Sequence, residues 1–110
     1  MKNKPYIIAE IASAHEGDVS ILKQLIDQSV SSNANAVKLQ IFNRDYLISK
    51  KNSLFAEFGE IEFNHDVWKK ILFEVSNIDI DLIIEPYDIE SINLLKKIDI
   101  DVHLKSPASN

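Results

Sequence analysis

The sequence has no cysteine. That excludes a disulfide scaffold and any thiolate metal site, and it suits a reducing cytoplasm. It also has no stripe of lysine and arginine. With a net charge of -5, nucleic acid and anionic membrane are poor partners. The basic start Met1-Lys2-Asn3-Lys4-Pro5 leads into an apolar run that breaks at Glu10, so neither a signal peptide nor a membrane span is expected. Glycine occurs only twice, which suits a core of sheet and helix. No internal repeat, low-complexity tract or linker is visible. A chain of 110 residues can bury one modest core.

What is present reads as strands alternating with helices. The central stretch is Asn35-Ala36-Val37-Lys38-Leu39-Gln40-Ile41-Phe42. At a strand's period of two, Val37, Leu39 and Ile41 point one way and Ala36, Lys38 and Gln40 the other. Before it, Tyr6–Ile11 reads as a first strand, followed by the loop from Ala12 to Asp18. Asp18 is a good N-cap for a helix with Leu22, Leu25, Ile26 and Val30 on one face. Asn33 suits the left-handed position after its last turn. Residues 43–63 are long for a strand-to-helix connection, and 44–48 and 54–58 could each make a turn or two of helix. Asn64 then caps a helix with Trp68, Ile71, Leu72 and Val75 inward. Asp81–Ile84 is a third strand running into Glu85-Pro86-Tyr87. Asp88 caps a helix with Ile92, Leu95 and Ile98 inward, and Val102–Leu104 is a short fourth strand.

The order βαβαβαβ implies parallel strands joined by right-handed crossovers. Such sheets are buried on both faces, so their polar side chains need partners. Glu10, Lys38 with Gln40, Glu85, and Lys105 with His103 on its face all fall at or near C-terminal strand ends. That is where a (β/α)₈ barrel binds its ligand. Singly each has a bland reading, as a loop-edge acid, a residue before proline or a solvated tail. Together they form a polar floor suited to an anionic, hydroxyl-rich ligand. His15, alone on a loop before a helix, reads as structural, and His65 as a solvated residue at a helix cap. With His103, these histidines are too scattered for a metal site. Lys50-Lys51 is a solvated loop pair. A flavodoxin-like binding module is disfavoured because the first strand-to-helix loop has no glycine- or hydroxyl-rich phosphate cradle.

These residues resemble the N-terminal half of the N-acetylneuraminate (sialic acid) synthase family. Ile7-Ile8-Ala9-Glu10-Ile11 with His15-Glu16-Gly17-Asp18 resembles the family's AEIG-x-NH-x-G opening. Ala36-Val37-Lys38-Leu39-Gln40 resembles its A-V-K-F-Q strand, Pro86-Tyr87-Asp88 its S-T-P-F-D turn, and Leu104-Lys105 its Y-K-I-x-S strand. The resemblance implies a phosphoenolpyruvate-dependent transferase that forms a carbon–carbon bond. It would condense phosphoenolpyruvate with an N-acetylmannosamine-type sugar to give a nine-carbon sialic acid-like sugar and phosphate. By the same resemblance, Lys38 and Lys105 hold phosphoenolpyruvate, while Glu10 and Gln40 bind the sugar acceptor. Glu10 and Lys38 are the expected catalytic residues, and Glu85 and Ser109 complete the substrate-binding set. A divalent metal, manganese or magnesium, is implied, with its histidine ligands in the barrel's second half.

The sequence departs from the family's motifs at Ala12 and Ala14, at Glu85 where the family has threonine, and at Ala108, with Ser109 one place further on. These departures suit the alternative of a catalytically inactive sugar-binding or structural remnant. The fold expected is α/β, a parallel half of a (β/α)₈ barrel over 1–110. Complete barrels need roughly 250 residues. The chain is therefore expected to belong to a longer enzyme, or to cover its open sheet edges by self-association.

Overall fold

The strand over Ala36–Ile41 lies inside the sheet, and its alternation sets the two faces of the molecule. The computed structural model describes residues 3–107. In chain order the elements are β1 (Ile8–Ala12), α1 (Val19–Ser31), β2 (Ala36–Ile41), α2 (Arg44–Leu47), α3 (Phe55–Ile61), α4 (His65–Ser76), β3 (Asp81–Pro86), α5 (Ile89–Lys97) and β4 (His103–Leu104). The strands form one sheet in the order β1-β2-β3-β4, with every neighbouring pair parallel. Sequential strands as parallel neighbours, each joined through a helix, are the winding of a (β/α) barrel wall.

On one face, Ile11, Val37, Leu39, Ile41, Leu82 and Ile84 meet Leu22, Ile26, Trp68, Ile71, Leu72, Val75 and Leu94 from the helices in a single apolar core. Burying these aliphatic and aromatic side chains is the main driving force for the fold. The helix starts are fixed by side-chain caps. Asp18 accepts from Ser20 and Ile21, Asn64 from Val67, and Asp88 from Ser91. Asn33 adopts φ 62, closing α1 as its residue type suggested. The long connection after β2 holds α2 and α3, two short helices with no buried residues of their own.

Several boundaries differ from the sequence expectation. β1 starts at Ile8 rather than Tyr6 and extends to Ala12, with a register shift between Glu10 and Ala12. β3 runs on to Pro86, and β4 is only His103–Leu104. In α5 the buried set is Ser91, Leu94 and Leu95, with Ile98 packed against the core, whereas Ile92 is exposed. Positions 91, 94, 95 and 98 follow the 3.6-residue period of a helix. The expected 92, 95 and 98, each three apart, drift around it.

Candidate substrate site at the strand ends

The other face of the sheet carries the polar residues. Register places Glu10 beside Lys38 and Gln40 beside Glu85. Four strands therefore deliver Glu10, Lys38, Gln40, Glu85 and Lys105 to one patch on the side away from the apolar core. The Lys38 ammonium lies 3.2 Å from Glu10 Oε2 and 3.7 Å from Glu85 Oε1. Lys105 Nζ lies 3.4 Å from Glu85 Oε2. Charge therefore alternates strand by strand: acid at Glu10, base at Lys38, acid at Glu85, base at Lys105. The four formal charges cancel.

Glu85 is the hub. Its side chain is only 5% exposed. Gln40 Nε2 donates to Glu85 Oε1 at 3.1 Å and to the Tyr87 hydroxyl at 2.9 Å, and that hydroxyl donates to Glu85 Oε1 at 3.0 Å. Burial alone would push the Glu85 carboxyl up. The hydrogen bonds from Gln40 and Tyr87, with the cations of Lys38 and Lys105, outweigh burial and hold it below its usual 4.5. Tyr87 is pushed the other way, to about 12, by burial and by the adjacent Glu85 carboxylate. At neutral pH the patch is thus a carboxylate held by three hydrogen-bond donors and the nearby Lys38 cation, beside a neutral phenol. Tyr87 was not among the site residues expected from sequence. The signal was its hydroxyl, in a turn where the related motif has phenylalanine.

The surrounding loops are tied down by other residues of the motifs. Asp88 caps α5 and also accepts from the Asn43 backbone N–H at 2.6 Å, joining the exits of β2 and β3. His15 is buried. It stacks on Phe63 at 4.5 Å between ring centroids, meets Trp68 edge-on, and accepts from the Gly17 N–H through Nδ1 at 2.9 Å. Burial lowers its pKa, so a neutral ring holds the turn. Gly17 is required there. It has φ +79, and a Cβ would come within 1.9 Å of the Glu60 carbonyl oxygen. His65 corrects an expectation: it is half-buried, and its Nε2 is buried with no hydrogen-bond partner, so it is not a freely solvated cap residue.

Ser109 lies outside the described residues. Among the described residues, no group of three or more histidines, aspartates and glutamates is placed to hold a metal ion. A cleft of about 530 Å³ lined by Asp79, Asp81, Asp99 and Asp101 lies toward the opposite ends of the strands; His103, expected beside Lys105, lines this cleft, whereas Glu10, Lys38, Gln40, Glu85 and Lys105 do not. Among those residues, too, no helix is long and apolar enough to cross a membrane.

With this geometry in place, similarity to known proteins becomes informative. The family model described as "NeuB family" matches residues 25–108. The chain belongs to the NeuB family. An uncharacterized protein of Methanocaldococcus jannaschii is 29% identical over 100 residues, which cover 90% of this chain and 30% of that protein. The N,N'-diacetyllegionaminic acid synthase of Campylobacter jejuni is 26% identical over 113 residues, covering 90% of this chain and 34% of the enzyme. The crystal structure of an N-acetylneuraminic acid (sialic acid) synthetase from Leptospira borgpetersenii, in complex with citrate, superposes with a TM-score of 0.81 at 26% identity, covering 94% of this chain and 36% of that one. The chain thus spans about a third of the length of these NeuB-type relatives. The sheet described here is one side of such a barrel.

Proposed function

We propose that residues 1–110 form the N-terminal half of a sialic acid synthase-type barrel and supply one wall of its substrate site. The reaction would join phosphoenolpyruvate to an N-acetylmannosamine-type sugar in the cytoplasm, releasing phosphate. One observation carries the reading: in a NeuB-family chain, Glu10, Lys38, Gln40, Glu85 and Lys105 converge on one face at the C-terminal strand ends. Lysine serves phosphate and carboxylate as a point charge, and Lys38 and Lys105 would share the enolpyruvate anion. Glu10, paired with Lys38 through one oxygen but with its side chain 45% exposed, can still accept from sugar hydroxyls, and Gln40 would donate to the acceptor by exchanging its bonds to Glu85 and Tyr87. Held together, the two substrates would be spared much of the entropic cost of meeting.

A divalent metal, manganese or magnesium, would serve as Lewis acid toward the sugar aldehyde in such a reaction. The described residues do not fit it. Their histidines lie on a loop, at a helix start and on a strand, and no donor set converges.

A second reading, a sugar-binding or structural remnant without catalysis, is favoured by one specific observation. Glu85 already engages both lysines, so an incoming anion must compete with a carboxylate built into the site. Calorimetric titration of the 110-residue chain with phosphoenolpyruvate separates the two. On the first reading, Lys38→Ala weakens binding by about 1.5–3 kcal/mol, the worth of a charge-assisted hydrogen bond. Equal affinity in wild type and variant would leave the remnant reading standing.

A further inference from the structure

The two oxygens of the Glu85 carboxylate are held unequally. Oε1 accepts from Gln40 and from the Tyr87 hydroxyl, and Lys38 lies 3.7 Å away. Among the described residues, Oε2 has one partner, the Lys105 ammonium at 3.4 Å. The two lysines differ as well. Lys38 is 15% exposed and is also tied to Glu10 at 3.2 Å. Lys105 is 49% exposed, follows the last residue of β4, and shares its ammonium with the Ser106 carbonyl at 3.2 Å. An incoming anion can therefore draw Lys105 away more readily than Lys38. That leaves Oε2 without its cation, in a side chain only 5% exposed, and sets a second negative charge beside it. A buried carboxylate that loses a counter-charge and gains a like charge is driven toward its neutral form.

Taking the patch as the anion site proposed above, we infer that an anion binding there brings a proton with it, which Oε2 of Glu85 takes from solvent. The ion pair from Lys105 to Glu85 is exchanged for one to the anion, and the proton forms a new O–H bond at Oε2. Glu85 still accepts from Gln40 and Tyr87 through Oε1, so the floor of the site keeps its shape. In the free protein those donors and the two cations hold the Glu85 carboxyl below 4.5. It is therefore charged at neutral pH, and the proton must arrive with the ligand. The other charged or titratable side chains of the patch are Glu10 on β1, Lys38 on β2, Tyr87 after β3 and Lys105 after β4. Glu10 is the second carboxylate among them, but it is 45% exposed, and water solvates its charge with or without a ligand. Threonine, which the related motif carries at this position, has no carboxyl to protonate. The coupling therefore belongs to Glu85.

Calorimetric titration with sulfate, which stays a dianion across the range in which the chain is folded, isolates the protein's own proton. Repeating each titration in two buffers of different ionisation heat counts the protons taken up. The wild-type chain should take up as much as one proton per sulfate, and its affinity should strengthen by up to about tenfold for each unit by which pH falls through that range. Glu85→Gln keeps an acceptor oxygen for Gln40 and Tyr87. It should bind sulfate more tightly at neutral pH and take up no proton, whereas Glu10→Gln should keep the uptake. Sulfate bound by the wild type without a proton would overturn the coupling and leave the anion site standing, even if Glu85→Gln does not fold. Uptake that persists in folded Glu85→Gln, or is lost in Glu10→Gln, would overturn it too. If neither sulfate nor phosphoenolpyruvate binds at any pH, the anion site itself fails and the coupling with it.

Discussion

The two faces of this sheet are built from alternate residues of the same strands, and they are stabilised in opposite ways. On the helix side, Val37, Leu39 and Ile41 are fully buried and make only apolar contacts. On the other side, Lys38 and Gln40, which alternate with them, are part-buried and held by hydrogen bonds and ion pairs to β1 and β3. The first face draws on area removed from water. The second gains little net stability, because pairing must first offset the desolvation of each charge. A polar face of low net worth inside a small fold is where binding groups belong, since their partners can be exchanged for a ligand.

The largest expected effect breaks the apolar face. Leu39→Ala should cost about 2–5 kcal/mol, from lost burial plus the cavity left behind, read as a fall in the urea midpoint. A cost as small as that of an exposed residue would mean that the two faces are not distinct. Glu85→Thr sharpens the comparison, because its two effects should have opposite signs. It should destabilise by about 1–3 kcal/mol, as Gln40 and Tyr87 lose their acceptor, yet tighten phosphoenolpyruvate by freeing both lysines. Loss of both stability and affinity would show that Glu85 orders the lysines rather than competing for them.

A pH series separates the faces without mutation. His15 has a folded pKa below its unfolded 6.5. The stability it contributes is therefore complete above 6.5 and is lost as pH falls from there through the folded value. Glu85 is also lowered, from 4.5, so its contribution is complete above 4.5 and lost only at more acid pH. Urea midpoints should fall in two stages, the first beginning just below 6.5 and absent in His15→Phe. A single stage confined to acid below 4.5 would mean that burial does not lower the His15 pKa.

The smallest effect is at the site's rim. Ala12 stands where the related motif has glycine, and its φ is 50, a conformation that costs an L-residue about 1–2 kcal/mol. Ala12→Gly should raise stability by about 1 kcal/mol or less, since glycine also gains freedom in the unfolded chain. A loss would show that the methyl group packs.

Much of this was legible in the residues themselves. Periodicity identified α1, α4 and β2, and Asp18, Asn64 and Asp88 announced the helix starts, because caps and amphipathic spacing are local physics. The clustering of Glu10, Lys38, Gln40, Glu85 and Lys105 followed from one rule, that parallel strands deliver their C-terminal ends to one side. Other features were not local. The phase of α5, with Leu94 inward and Ile92 outward, depends on how the helix settles on β3. The part played by Tyr87 depends on Gln40, 47 residues earlier, reaching its hydroxyl. Which carboxylate holds which lysine was decided by register between strands. The sequence by itself determined which residues alternate, where helices begin and that the strand ends are charged, because those follow from neighbours along the chain. Only the tertiary structure decided that Glu85 is the buried hub between two cations, because its low pKa and its partners come from residues of other strands brought within hydrogen-bond reach.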